Sequence, residues 1–318
     1  MSADPKAASV TPVDGECGLA SWEPPDLGSV VLPAWDDFID LVSGLDLDAA
    51  SRVAGWSARD VCVHLGSWPG SRTLAHMVAE AERDEIDRDD PRAGSFDQES
   101  HNEAVLAAST GAPRAEVLAA LARSRDETAA YLASPETARE LGLRPVRSVL
   151  GPLPLSTLLG AAGYELAVHA LDLASAGARD PAPGLLSAGL ASLVDTTGAL
   201  AARSGLTAIA ACVSPEGGWA LSARPDAWTT LELPQVPAGW SAIEGDASDL
   251  LDASAGRRAV PPMLARRALR LHHVGGLLAL APIVEGVPGL PGGPALRAAV
   301  RNVRGITRLV RRLPGLSG

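Results

Sequence analysis

The sequence predicts an α+β protein: a four-helix bundle over about residues 31–180, a smaller α+β unit over about 185–262, and a basic helical tail over about 263–318. Three observations carry this. Apolar residues recur at helical spacing in four segments of the first half. Short β-rich runs separated by Gly, Pro and Asp follow them. A chain of 318 residues with 47% hydrophobic content supplies roughly two buried cores.

Residues 1–30 are rich in Pro, Gly, Ser and Asp and show no apolar period, so they predict a flexible or loosely draped arm. Trp35, Phe38, Ile39, Val42 and Leu45 then fall on one helical face, with Pro33 placed as a first-turn proline. A second helix opens at Ser57, where SARD reads as a capping box closed by Asp60, and its inward stripe is Val61, His64, Leu65 and Trp68. Pro69-Gly70 interrupts that stripe, and the charged run AEAERDEIDRDD fades into a polar linker at about 84–97. Val117, Leu118, Leu121, Thr128 and Tyr131 mark a third helix, and LSTLLGAAGYELAVHALDLA, residues 155–174, a fourth. The long connection between the second and third predicts a crossover bundle. After the GARDPAPG linker a helix-like stretch, 185–203, precedes the strand runs LTAIAACV, GWALSA, AWTTLEL and WSAIEG and a short helix, DASDLLDAS. Leu296, Val300, Val303, Ile306, Val310 and Leu313 form the apolar stripe of a final amphipathic helix flanked by arginines.

Charge and composition exclude several classes of function. The net charge of −11 divides unevenly: Arg257 onward carries eleven arginines against Glu285, about +10, so the preceding residues carry about −21. The body repels nucleic acid. The tail can dock on that acidic body, within one chain or across a homodimer, and its other reading is a surface for a membrane, a partner or nucleic acid. No uninterrupted apolar run reads as a membrane span, and MSADPKAASV lacks the features of a secretory signal, so a cytoplasmic location is expected. Cys17, Cys62 and Cys212 are odd in number and far apart, which predicts reduced thiols without a metal knuckle.

The segment 155–174 bears three ionisable side chains, Glu165, His169 and Asp172, on one face of an apolar helix. An isolated charge in such a stripe costs several kcal/mol unless it is paired, protonated or metal-bound. Glu165 and His169, at i and i+4, have the spacing of two ligands sharing one ion, and His64 on the inward stripe of the second helix is the candidate third. Two imidazoles and a carboxylate with an open fourth position match a catalytic zinc site, and ferrous iron or nickel suits the same donors. From the residues alone, satisfied core histidines or a metal-free Glu165–His169 pair remain alternatives. Cys62 lies two residues before His64, off its face, and reads as a packed thiol. Asp172 suits either the orientation of a ligand histidine or a salt bridge to an arginine. His101 reads as a pocket rim or a solvated histidine, His272-His273 precede a Gly-Gly and are expected to lack a carboxylate partner, which argues against a metal role there, and Trp219, Trp228 and Trp240 have core spacing.

GWSARDVCVHL, followed about a hundred residues later by YELAVHALDLA, resembles the N-terminal domain of the mycothiol-dependent maleylpyruvate isomerases, a branch of the DinB superfamily of metal-binding four-helix bundles. The resemblance covers about residues 31–262 and implies that His64, Glu165 and His169 hold Zn²⁺ or another divalent metal. It implies mycothiol, a low-molecular-weight thiol, as co-substrate, and a small-molecule electrophile as acceptor. The unit 185–262 resembles that family's sterol-carrier-like C-terminal domain, and GDASDLLDASAGR makes Arg257 the implied catalytic arginine, with Arg258 adjoining it. The resemblance thus implies an isomerase or S-transferase in which a thiolate attacks the acceptor. A non-catalytic module for an apolar ligand or protein partner is the competing expectation, and a metal hydrolase the third. The N-terminal arm and basic tail have no counterpart in the pattern.

Overall fold

The computed structural model describes residues 11–87 and 97–286 of the chain. It is an α+β fold. The helical half comprises α1 (Pro24–Ser43), α2 (Ala58–Leu65), α3 (Leu74–Arg83), α4 (Gln98–Ala108), α5 (Arg114–Leu132) and α6 (Pro135–Gly142), a minimal ladder of β1 (Pro145–Val146) with β2 (Leu153–Pro154), and α7 (Leu155–Asp172). α1, α2, α5 and α7 pack together around Phe38, Val61, Leu121 and Leu166, all fully buried. The start of α2 is fixed by the capping box: Ser57 Oγ accepts from the Asp60 backbone and Asp60 accepts from the Ser57 backbone.

α8 (Pro183–Arg203) leads into a five-stranded sheet, β3 (Ala208–Ser214), β4 (Gly217–Arg224), β5 (Ala227–Leu233), β6 (Ala242–Gly245) and β7 (Leu269–His272), in the order β5-β4-β3-β6-β7. Only the β3–β6 pair is parallel among these. α9 (Ala247–Ser254) and α10 (Val260–Ala265) lie between β6 and β7 in sequence. α8 sits between bundle and sheet, and one hydrophobic core runs through both, from Phe38 to Leu251 and Trp228. Its composition alone would let α8 cross a membrane, but 72% of its most apolar stretch is buried in this core. α7 and α8 approach closely because their crossing is made of small residues: a Cβ on Gly163 would stand 2.7 Å from Ser192 Oγ, and one on Gly189 would stand 2.5 Å from Ala167. A larger side chain at either position would lever apart the helix that carries Glu165 and His169.

Two expectations need correction. Within the arm expected through residue 30, the described residues 11–30 are packed on the fold: Leu19 and Leu27 are buried, as is Val31 beyond them, Cys17 bridges to Trp228 at the sheet edge, and α1 begins at Pro24. Leu27 and Val31 extend the stripe of Trp35 back by two turns. Pro33 obscures that continuity, yet it is tolerated inside the helix because it faces solvent, where the carbonyl it frees meets water. The sheet also continues past residue 262. Leu269–His272 pairs with β6 as an edge strand, with Leu269 buried and Leu271 exposed, so backbone pairing with β6, not an alternating apolar pattern, sets this strand where leucine and arginine spacing suggests helix. Gly275–Ala279 and Ala281–Gly286 follow as short helices α11 and α12. The expected arginine-flanked helix over 296–313 lies outside the described residues.

Asp195 on α8 ties the N-terminal strap to the sheet. Its Oδ1 accepts from the Leu19 backbone at 2.8 Å, Trp228 Nε1 at 2.9 Å and Thr230 Oγ1 at 2.7 Å, while Oδ2 is buried without a partner. Burial outweighs these bonds and pushes the carboxyl up to about 6, from 3.8 in the unfolded chain. The folded state therefore holds this proton more tightly, so the contribution is present below pH 4 and is lost as pH rises through 6. Its size is about 3 kcal/mol. Denaturant titrations of wild type and Asp195→Asn between pH 4 and 7 should show that downward slope in the wild type and a flatter one in the variant. Parallel slopes would remove Asp195 as its source.

Candidate metal centre

α2 and α7 bring His64, Glu165 and His169 together, and these form a cluster of potential metal ligands among the described residues. Glu165 Oε2 lies 3.6 Å from His64 Nε2 and 3.6 Å from His169 Nε2, and all three donor atoms lie within 4.8 Å of one another. Tetrahedral zinc with bonds of about 2.1 Å spaces its donors roughly 3.4 Å apart, so the donor set and its spacing fit. His169 is almost buried, whereas half of the Glu165 side chain is open to solvent, which leaves one face of the cluster accessible. Trp56, just before α2, covers the other side: its ring lies 5.4 Å from that of His64 and stacks at 16° on that of His169, 6.2 Å away.

The partners of each imidazole decide which nitrogen faces inward. His169 Nδ1 lies 3.1 Å from Asp172 Oδ2, and His64 Nδ1 lies 3.1 Å from Asn102 Oδ1 on α4. Both oxygens accept, so both Nδ1 atoms donate, and in neutral rings each Nε2 turns a lone pair toward Glu165. Crowding by neighbouring atoms pushes the Glu165 carboxyl up, but its pairing with His64 and His169 and the charge of Arg257 outweigh it and hold the group below the usual carboxylate range.

Asp172 performs both roles that its sequence position allows. Fully buried, it orients His169 and accepts Arg257 through Nε at 3.0 Å and Nη2 at 2.8 Å, with Arg52 Nη2 at 3.4 Å. Arg52 also reaches Asp252 on α9 at 2.5 and 3.1 Å, and the Asp252 carbonyl receives the backbone N–H groups of Arg257 and Arg258. This network fastens the bundle to the small unit beside the cluster. Burial pushes the Asp172 carboxyl up, but its bonds from His169 and Arg257 prevail and hold it low. Two of the five N–H groups of the Arg257 guanidinium are engaged by Asp172. Arg258 instead pairs with Asp249 on an exposed edge.

Sequence reasoning misses Arg52, Asp252, Trp56 and Asn102. Trp56 stands inside the quoted GWSARD string, so its proximity to His64 is a signal; the other three meet the site only through tertiary packing. Cys62 is fully buried away from the cluster, and burial pushes its thiol up to about 12. His101 rims a cavity beside His64 and accepts from the Arg72 backbone at 3.3 Å. His272 does have a carboxylate neighbour, Glu244 at 2.7 Å, because strand pairing brings together residues distant in sequence. Trp219 and Trp228 are core residues and Trp240 packs at its margin.

The model of the mycothiol maleylpyruvate isomerase N-terminal domain family matches residues 31–174, just under half of the chain. Solved structures that match include a crystal structure of the mycothiol-dependent maleylpyruvate isomerase, with 14% identity, a TM-score of 0.45, and coverage of 76% of this chain and 93% of the other. A histidine-to-alanine mutant of that isomerase matches with 15% identity, a TM-score of 0.45, and coverage of 76% and 92%. No curated protein sequence matches. The segment matched by the family model contains α2 and α7 with all three cluster residues, so the likeness of residues 31–174 to the mycothiol maleylpyruvate isomerase N-terminal domain takes in the whole cluster.

Proposed function

We propose that the chain is a zinc-dependent enzyme that uses a low-molecular-weight thiol, mycothiol, to isomerise or S-conjugate a small electrophilic acceptor. One observation carries the reading: two imidazole lone pairs and a carboxylate oxygen converge on a common point, in tautomers fixed by Asn102 and Asp172, with one side open. Three acceptors aimed at one another are unfavourable unless a proton or a metal ion sits between them, and two imidazoles with one carboxylate and an open side are the donor set of a catalytic metal. His64, Glu165 and His169 would hold it. A bound Zn²⁺ would supply thiol activation, favouring a thiolate able to add to, and leave from, a conjugated double bond.

The remaining work falls to the chain itself. Trp56 and the buried flank of His169 exclude water from one side of the cluster. Arg257, held by Asp172 and close enough to depress Glu165, offers its remaining N–H groups to an acceptor carboxylate or to charge building on a carbonyl oxygen. Arg52 adds a second positive charge to that side.

The test is turnover of maleylpyruvate, and conjugation of electrophilic acceptors, by zinc-loaded protein with and without mycothiol. Activity should require both zinc and thiol, and Arg257→Ala should lower kcat/KM by roughly 10²-fold or more, the usual range for losing one charge-stabilising donor. Zinc-dependent turnover without thiol would replace this reading with a hydrolase. A chain that neither binds zinc nor turns over acceptors would leave a binding module.

A further inference from the structure

We propose that the cavity beside His64 holds the sugar-like, hydroxyl-rich part of the thiol co-substrate, with Glu127 as its anchor and specificity-determining residue. This deepens the reading above and rests on it. The cavity has a volume of about 220 Å³, and its walls come from the end of α2, from α3, α4, α5 and the first half of α7. It continues directly from the cluster. Leu158, Ala162, Glu165 and His169 succeed one another on a single face of α7; the first two line the cavity and the last two belong to the cluster, while His64 belongs to both.

The lining is mixed in chemistry. Ser67 Oγ donates to Glu127 Oε1 at 2.9 Å, Ser124 Oγ donates to the Leu65 carbonyl at 3.2 Å, and Thr128 Oγ1 donates to the Ser124 carbonyl at 2.9 Å. Each hydroxyl has spent its proton on the protein, so what it offers a ligand is lone pairs. Glu127 adds a carboxylate whose second oxygen has no hydrogen bond among the described residues. Met77, Leu158 and Leu159 add apolar lining, and Trp35 adds an apolar ring whose buried Nε1–H has no partner among the described residues. A cavity lined by carboxylate and hydroxyl acceptors, a buried indole N–H and apolar side chains suits a ring that carries several hydroxyls on its edge and C–H groups on its face.

An anionic acceptor molecule is the wrong occupant. Its carboxylates would meet the charge of Glu127 and the proton-spent hydroxyls of Ser67, Ser124 and Thr128, and the single indole N–H of Trp35 does not offset that charge. Arg72 also lines the cavity, but its charge is compensated by Glu80 at 2.5 Å. The cationic side of the cluster is the other one, where Arg52 and Arg257 stand. The site thus sorts its two substrates by charge: polyol toward the bundle interior, anion toward the arginines.

The experiment is calorimetric titration of the zinc-loaded full chain with mycothiol and with N-acetylcysteine, which shares the thiol but lacks the sugars. Wild type should bind mycothiol more tightly. Glu127→Gln, which keeps an acceptor for Ser67 Oγ, should weaken mycothiol about tenfold, the size expected for losing a hydrogen bond to a charged group. Zinc content, melting temperature and N-acetylcysteine affinity should stay unchanged. Ser124→Ala should give a smaller loss of the same selectivity. Equal weakening of both thiols, or an unchanged mycothiol affinity, would overturn the assignment while the thiol reading stands. Tighter binding of cysteamine than of mycothiol, abolished by Glu127→Gln, would assign the cavity to an ammonium group and overturn it too. If zinc-loaded wild type binds neither thiol, the functional reading itself fails, and the proposal with it.

Discussion

Replacing His169 with alanine is expected to weaken zinc binding by at least ~10²-fold, and the same loss is expected for His64→Ala. Altering a residue that merely orients a ligand already costs about 10- to 100-fold in affinity, so deleting one of three protein ligands costs more. After dialysis against micromolar zinc and desalting, elemental analysis should find about one ion per wild-type chain and close to none in either variant. Cys62→Ala is the control, because its sulfur is buried off the ligand face; it should retain the metal. Asn102→Ala should fall between, since it frees the ring of His64 without removing its nitrogen. Stability should follow occupancy: zinc at a hundred times its Kd stabilises the fold by about 2.7 kcal/mol, a gain that both histidine variants lack. Full zinc content in His169→Ala would remove the metal centre from this site.

The candidate ligands are legible in the sequence because helical spacing is local information. Glu165 and His169 share a face by being four residues apart, and His64 is placed inward by Val61 and Trp68 around it. The capping box at Ser57 is equally local. What escapes the sequence depends on partners far away along the chain. Arg52 meets Asp252 across 200 residues, and nothing in the string SRVAG around it signals a site. The strap at Leu19 reads as a loose arm because its anchor, Asp195, lies on α8. β7 reads as helix because a four-residue edge strand carries too few alternations to outweigh the arginine-rich run that contains it.

Asp172 shows how much rests on such a distant meeting. Asp172→Ala is expected to destabilise the chain by about 3 kcal/mol and to weaken zinc binding by roughly 10- to 100-fold. The stability cost arises because the substitution leaves the forked face of Arg257 partly buried without a carboxylate, and removing one partner of a buried pair costs about 3–5 kcal/mol. The lower end applies here. Both arginines keep about a third of their side-chain surface in water, and Arg52 retains Asp252. The metal cost has a separate origin: without Asp172, nothing fixes the Nδ1–H tautomer of His169 or its ring orientation. Asp172→Asn separates the two effects, because its amide oxygen still accepts from one donor while the charge is gone; it should recover part of the zinc affinity but little of the stability. Combining Asp172→Ala with Arg257→Ala should be less than additive, since neither charge is then left unpaired. Urea unfolding midpoints of the metal-free proteins measure the first effect, and zinc titrations of the folded variants the second. Full additivity of the pair would mean that Asp172 and Arg257 act independently, and the junction between bundle and small unit would have to be sought elsewhere.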